Sequence, residues 1–293
     1  MPAELLRLPW LDWLEPSILL PIAAMALAYY LVADGPLRAT GGDADPADRG
    51  RGWMAYAAFA VLYLSFGGPL DVLADASSFA AHMLQHTLGT MVAAPLLVAG
   101  VPVRLWRRVV RAPVVGAVMR QLVRPVPAIL VFNALLGASI LPAVYDLVEQ
   151  NDLVHLLEHA LLVATAVLMW WPVLSRVPEL PRLHPGLRML YLFADGMPMI
   201  FTMTFPTLSS QPMYPYYAHA PELFGMSQVV EQQLGGALMI TLMHIAYGIA
   251  FIVAFFDLKN GADQSRIDPV LVAVRPDGTA GARRLSGAAG GGA

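Results

Sequence analysis

Two short stretches place paired histidines inside an otherwise strongly apolar chain. His82 and His86 belong to "HMLQH", and His155 and His159 belong to "HLLEH". Residues four apart lie on one face of a helix, so each pair can direct two imidazoles at one point. Neutral imidazole is a ligand for copper, zinc and iron. The spacing predicts a metal site between two helices, and the plainer alternative is that the histidines only hydrogen-bond neighbouring helices.

The composition indicates the environment of these histidines. Of the 293 residues, 57% are hydrophobic and 13% are charged, and the mean hydropathy is +0.59, which is typical of a membrane protein. The chain has 15 methionines and no cysteine, which excludes disulfides, cysteine zinc sites and thiolate redox chemistry. The net charge of -3 argues against a nucleic-acid partner.

Seven apolar runs approach the length of about 20 residues that a helix needs to cross a bilayer. We therefore predict an all-α, polytopic membrane protein whose single domain, residues 1–260, is a bundle of seven transmembrane helices. Residues 261–293 turn polar and then rich in Gly and Ala, which predicts a flexible cytoplasmic tail. The predicted spans are residues 16–33, 53–68, 80–100, 126–142, 153–172, 187–205 and 232–256.

The basic residues predict the orientation of the bundle. Of the 18 lysines and arginines, all except Arg7 fall in segments 34–52, 101–125 and 173–188 or after residue 256. Lys and Arg accumulate in cytoplasmic loops. The N-terminus is therefore predicted to lie outside and the C-terminus in the cytoplasm.

This orientation places the two histidine pairs at matching depth, because the third and fifth predicted spans both enter the membrane from the outer side. At about 1.5 Å per residue, His82 and His155 lie near the outer surface, and His86 and His159 lie one turn deeper. Ionisable side chains inside a bilayer are costly and are usually functional. One or two compact ions would use all four imidazoles, whereas a single haem would leave two unexplained.

Methionines favour copper among the metals that imidazole binds. They concentrate in the outward part of the sixth span, in the outer loop 206–231 and in the seventh span. Thioether sulfur favours Cu(I) over zinc, so we predict copper, as Cu(I). Met239 and Met243 are the predicted soft ligands and His244 a deeper ligand, with core packing and structural hydrogen bonding as the alternatives. His219 in the outer loop is a further residue that can capture an arriving ion.

Four other polar residues lie in or beside the predicted spans. They are predicted to orient the imidazoles or to supply negative charge to a cation. These residues are Glu158, Asp195, Glu231 and Gln232.

Several motifs together resemble those of a known family. "AHMLQHTL" followed by "APLLVAGVP", "HLLEHALL" leading into "WWPV", and "EQQLGGALM" at the start of the last span resemble the CtaG family of assembly factors for the caa-type cytochrome c oxidase. The resemblance extends from about the second to the seventh span. It implies a multi-pass protein of the bacterial cytoplasmic (inner) membrane that acts at the copper-dependent step of oxidase maturation. It points to the four paired histidines together with Glu231 and Gln232.

We therefore expect a non-enzymatic assembly factor in the lipid membrane that takes copper from a donor on the outer side and passes it to a haem-copper oxidase subunit. The outer loop 206–231 is expected to dock this recipient or to cover the site, with an interfacial aromatic belt as the alternative. Two other functions stay open. One is an intramembrane zinc hydrolase with three histidine ligands and Glu158 or Asp195 as its base, and the other is a haem-bearing electron carrier.

Overall fold

A computed structural model describes residues 14–37, 48, 50–217, 222 and 225–261. Within these residues the regular structure is helical and no strand occurs, in agreement with the predicted all-α class. All but the first residue of the predicted tail 261–293 lies outside the described residues, as does His219. The α-helices are α1 (Pro16–Ala33), α2 (Gly52–Phe66), α3 (Pro69–Ser77), α4 (Phe79–Leu88), α5 (Ala94–Gly100), α6 (Val103–Arg111), α7 (Pro113–Leu122), α8 (Pro125–Ile140), α9 (Pro142–Glu149), α10 (Asp152–Leu174), α11 (Pro185–Leu208) and α12 (Gln228–Lys259).

Helix length and hydropathy identify a multi-pass membrane protein. Five helical segments among the described residues are long and apolar enough to cross a bilayer: Pro16–Ala33, Gly52–Ala74, Phe79–Gly100, Asp152–Leu174 and Gln228–Lys259. A sixth results if α7 and α8, which meet at an angle of 93°, form one bent span. Helix α11 coincides with the sixth predicted run, but Arg188 and Asp195 lower its hydropathy and it is not among the five. The count of seven spans and the orientation of the termini stay predictions.

Two side-chain caps fix where the histidine-bearing helices begin. The Ser78 hydroxyl accepts a hydrogen bond from the backbone N–H of Ala81 at the start of α4, and the Asn151 side chain accepts one from that of Val154 at the start of α10. Such caps satisfy N–H groups that have no partner within the helix. His82 and His155 each follow their cap by four residues, so the two pairs occupy equivalent positions in their helices.

Two glycines let α12 approach α4 and α11 closely. A Cβ atom at Gly235 would lie 2.7 Å from the Phe79 ring and 3.1 Å from the Cα of Ala80 in α4. A Cβ at Gly236 would lie 3.1 Å from the backbone oxygen of Met203 in α11. The "GG" of "QQLGG" is therefore explained by tight helix packing, which is a common use of small residues in membranes.

A π-helical turn, Gly89–Ala93, separates α4 from α5 and begins three residues after His86, the second histidine of α4. The indole N–H of Trp170, from "WWPV", donates a hydrogen bond to the backbone oxygen of Thr90 at 2.9 Å. The Thr90 hydroxyl in turn donates to the backbone oxygen of His86 at 2.6 Å. Single π-turns inside helices occur frequently at functional sites, and here the turn links α10 to the backbone of a histidine.

Candidate metal centre

The four paired histidines of α4 and α10 face one another in a compact cluster. The ring centroids of His82 and His155 lie 5.0 Å apart with nearly parallel planes, and those of His86 and His159 lie 4.9 Å apart. His155 is partly exposed and the other three are buried. The fold thus brings together the side chains whose spacing pointed to a shared site.

A buried carboxylate joins the first histidine of each helix. Glu149, the last residue of α9, has Oε1 at 3.3 Å from Nδ1 of His82 and at 3.7 Å from Nε2 of His155. Its side chain is 2% exposed. Glu149, His82 and His155 are named the first layer below.

A second carboxylate joins the second histidine of each helix in the same way. Glu158 has Oε2 at 3.4 Å from Nε2 of His86 and at 3.7 Å from Nε2 of His159. These three residues are named the second layer. The layers meet where Nε2 of His82 lies 2.8 Å from Nε2 of His86. Each layer therefore contains one imidazole from α4, one from α10 and one carboxylate.

The donor atoms of the cluster fit a metal ion. Ligand atoms of His82, His155 and His159 lie within 4.8 Å of one another, as do those of His86, Glu158 and His159. Four buried ring nitrogens of the cluster make no hydrogen bond within the described part of the chain: His82 Nδ1, His86 Nδ1, His155 Nε2 and His159 Nε2. Leaving a buried polar atom unsatisfied costs about 1–3 kcal/mol. A bound cation would remove that cost by taking these nitrogens as ligands.

The same closeness argues against haem. Ring centroids within the cluster are only 4.3 to 5.3 Å apart. Imidazoles that lie almost in contact leave no space for a flat macrocycle between them.

Glu149 was missed by the sequence reasoning, which placed it in an outer loop between two spans. Its burial arises because residues 142–149 form the short helix α9, which folds back against the start of α10. A signal was present in the sequence, since the segment 143–152 carries acidic residues without any Lys or Arg to pair with them. That signal does not by itself reveal that one of these carboxylates is buried.

Aromatic side chains cover the first layer. The Tyr145 ring of α9 lies 5.2 Å from the His82 ring, and its hydroxyl is 2.7 Å from that of Tyr217 in the outer loop. Tyr214 of the same loop stacks on Phe79 of α4 at 4.4 Å. Burial, together with the neighbouring Tyr217, raises the pKa of Tyr145 well above its ordinary value. This aromatic cover packs beside the first layer, in which His155 stays partly exposed.

Glu231 and Gln232 lie at the start of α12, where they position other elements. The Glu231 carboxylate accepts hydrogen bonds from the Ser78 hydroxyl at 2.6 Å and from the backbone N–H of Ala80 at 3.4 Å, so it holds the beginning of α4. The Gln232 side chain accepts from the N–H of Met213 at 2.7 Å and donates to the backbone oxygens of Pro206 and Gln211. Gln232 thus ties the outer loop to α12. Neither side chain is part of a layer.

The remaining predicted residues also lie outside the two layers. Buried Asp195 accepts hydrogen bonds from the Asn133 amide at 2.8 Å and from the Tyr247 hydroxyl. The Nδ1 atom of His244 is 2.7 Å from the backbone oxygen of Ile240, and the ring is exposed. Met239 and Met243 are residues of the hydrophobic core. Met243 and His244 also line a pocket of about 310 Å³.

Comparison with known protein families identifies one match. The sequence model described as cytochrome c oxidase caa3 assembly factor (Caa3_CtaG) matches residues 28–260. This range contains both layers, the aromatic cover and every helix from α2 to α12. A search of curated proteins and a search of solved structures found no match to the chain.

Proposed function

Because this chain belongs to the family of cytochrome c oxidase caa3 assembly factors, we propose that it binds copper at the two histidine layers and delivers it to a subunit of a haem-copper oxidase. The observation that carries this proposal is the convergence of four imidazoles and two carboxylates, most of them buried, between α4, α9 and α10. Copper is the cargo of this process, and the protein itself performs no catalysis.

The donor chemistry supports copper. Imidazole nitrogen binds copper, zinc and iron, and of these copper and iron are the metals that a haem-copper oxidase takes up. The methionines of the chain favour Cu(I), because thioether sulfur is a soft ligand. Met239 and Met243 themselves lie outside the two layers. Nitrogen and oxygen donors also suit Cu(II), so the layers can hold the ion in either state.

The surroundings of the layers suit transfer from the outer face of the bacterial cytoplasmic membrane. The part of α4 and α10 that carries the histidines is next to the outer loop 206–231, whose tyrosines cover the first layer. A copper donor on the outer side would reach the site by displacing this cover. Imidazole and carboxylate ligands without thiolate favour release to a recipient, since no Cu–thiolate bond has to be broken.

Copper binding by the detergent-purified full chain tests the proposal. The wild type is compared with a variant in which His82, His86, His155 and His159 are all alanine, and copper, zinc and iron are measured by elemental analysis. The matched control is His184→Asn, which changes a histidine at the start of α11 and keeps a side-chain acceptor for the N–H of Gly186. We expect copper in the wild type and the control and none in the folded quadruple variant. Zinc or iron in place of copper would overturn the proposal.

A further inference from the structure

From two exposed polar side chains of α12 we infer that a transmembrane helix of the recipient oxidase subunit docks in the groove between α11 and α12. This α11–α12 groove has a volume of about 310 Å³. The identity of the partner rests on the proposed function, whereas the position of its binding surface is new. Its lining includes Phe193, Gly196, Met197, His244 and Gly248.

His244 lies at the level of the hydrocarbon core. It is about halfway along α12, which has 32 residues and is apolar and long enough to cross a bilayer. At 1.5 Å per residue such a helix is about 48 Å long, and the hydrocarbon core of a bilayer is about 30 Å thick. The midpoint of α12 is therefore surrounded by lipid chains wherever no protein covers it.

The His244 ring is exposed on an apolar surface. Ile245 and Ile249 of α12 and Phe193 of α11 are exposed around it. Ionisable side chains inside a bilayer are costly, and almost all of them face the interior of a bundle or pair with another polar group. An exposed histidine at this depth therefore indicates that another protein covers the surface.

The hydrogen bonds of α12 define what the partner has to supply. Nδ1 of His244 is 2.7 Å from the backbone oxygen of Ile240. Because a carbonyl oxygen only accepts, Nδ1 carries the hydrogen, and Nε2 of the neutral ring is an acceptor. Nε2 makes no hydrogen bond within the described part of the chain, and neither does the hydroxyl of exposed Thr241 on the same face.

Lipid tails cannot satisfy these two groups, since they offer no hydrogen bond. Polar side chains of neighbouring transmembrane helices do so, because they hydrogen-bond across helix contacts in membranes. The occupant of the groove is thus a helix that presents a hydrogen-bond donor to Nε2 of His244.

The shape of the groove suits such a helix. A Cβ atom at Gly248 would have no other atom within 4 Å, and Gly196 lines the same groove from α11. Small residues let the backbones of membrane helices approach closely. The flexible Met197 and the aromatic Phe193 are exposed beside them, and both residue types are enriched in protein interfaces.

The partner is an oxidase subunit because the family to which the chain belongs assembles cytochrome c oxidase. The outer loop 206–231 connects α11 to α12, and its Tyr217 lies beside the first layer. A helix seated in the groove would run along the two helices that carry this loop. The recipient would thereby be held next to the cover of the histidine cluster.

Photo-crosslinking in membranes of cells that make the oxidase tests the docking surface. The photoreactive residue p-benzoylphenylalanine replaces Phe193 in the groove or, as the matched control, Leu27, an exposed residue of α1. Linked proteins are identified by mass spectrometry. We expect the oxidase subunit to be linked to the first position and not to the second. A second copy of this chain, or lipid alone, at position 193 would overturn the docking surface.

Two variants test the contacts within the groove. His244→Leu removes the acceptor and keeps the surface apolar, and Gly248→Leu fills open space in the groove. We expect about tenfold less linked oxidase subunit in each, through loss of an intramembrane hydrogen bond or of close approach. His244→Gln keeps an acceptor and should retain more of the linked subunit than His244→Leu.

Copper binding separates this docking surface from the proposed function. Both leucine variants should bind as much copper as the wild type, since neither residue belongs to the histidine cluster. Undiminished crosslinking in His244→Leu would overturn the docking surface, as would loss of its copper, which would make His244 a ligand. Copper binding without crosslinking overturns only the docking surface, whereas crosslinking of the oxidase by a chain that binds no copper overturns only the proposed delivery.

Discussion

Oε1 of Glu149 lies 3.3 Å from Nδ1 of His82, and both side chains are almost completely buried. A carboxylate from α9 is thereby directed at an imidazole of α4, although the two helices are far apart in the sequence. The contact fixes which nitrogen of His82 faces the first layer. It makes Glu149 a part of the centre that the sequence did not reveal.

Replacing this carboxylate should weaken copper binding. We expect Glu149→Gln to reduce copper affinity by about tenfold or more, because the neutral amide lacks the negative charge that binds the cation. The matched control is Glu179→Gln, which removes an exposed carboxylate that pairs with Arg107 and Arg111. Equal copper affinity in the two variants, measured by chelator competition, would contradict a ligand role for Glu149.

Asp195 and Glu158 allow a comparison of two intramembrane carboxylates. We expect Asp195→Asn to leave the copper stoichiometry unchanged, because its oxygens are bonded to Asn133 and Tyr247 and lie outside the layers. Glu158→Gln should weaken copper binding, since Glu158 faces two imidazoles. Elemental analysis of both variants after copper loading distinguishes them. Copper loss in Asp195→Asn would show that this carboxylate acts on the centre after all.

The tight approach of α12 to α4 predicts a loss of stability at one glycine. A methyl group at Gly235 would meet the Phe79 ring and the backbone of Ala80, so Gly235→Ala should lower the free energy of unfolding by about 1–3 kcal/mol. Gly248 in the same helix has no atom within 4 Å of its Cβ position. Gly248→Ala should therefore keep or slightly raise stability. Thermal unfolding in detergent compares the two variants, and equal melting temperatures would rule out the close packing.

The aromatic cover predicts a kinetic effect. Tyr217→Phe removes one hydroxyl of the pair with Tyr145, so we expect copper to exchange faster with a chelator while the stoichiometry stays the same. The control Tyr56→Phe removes a hydroxyl that donates to Asp34 at the end of α1. Stopped-flow transfer to a chelator measures both rates. A rate for Tyr217→Phe equal to that of the control would argue against a gating role for the loop.

The sequence predicted the helical class and the four histidines that meet in the cluster because both follow from local periodicity. The equivalent positions of His82 and His155 could be read from two HxxxH stretches, and the caps at Ser78 and Asn151 explain why the match holds in three dimensions. The resemblance to the family also pointed to "WWPV" and "QQLGG". The packing roles of these two motifs are visible only in the contacts of Trp170, Gly235 and Gly236.

Other features depend on tertiary contacts that periodicity does not contain. Glu149 is buried only because α9 folds back against α10, and the π-turn after His86 is stabilised by a hydrogen bond from a different helix. His244 sits at a depth that suggested a ligand, yet its ring faces outward from α12. Depth in the membrane can be estimated by counting residues, whereas the direction of a side chain around the helix depends on how the bundle packs.

The copper content of the oxidase in cells is the decisive test of copper delivery by the histidine cluster. Cells that produce the variant with all four cluster histidines changed to alanine are compared with cells that produce the wild type, at matched levels of membrane-inserted protein. We expect the oxidase subunits in the variant cells to be present but to contain little copper, and added copper to restore activity only in part. A fully metallated and active oxidase in the variant cells would contradict it.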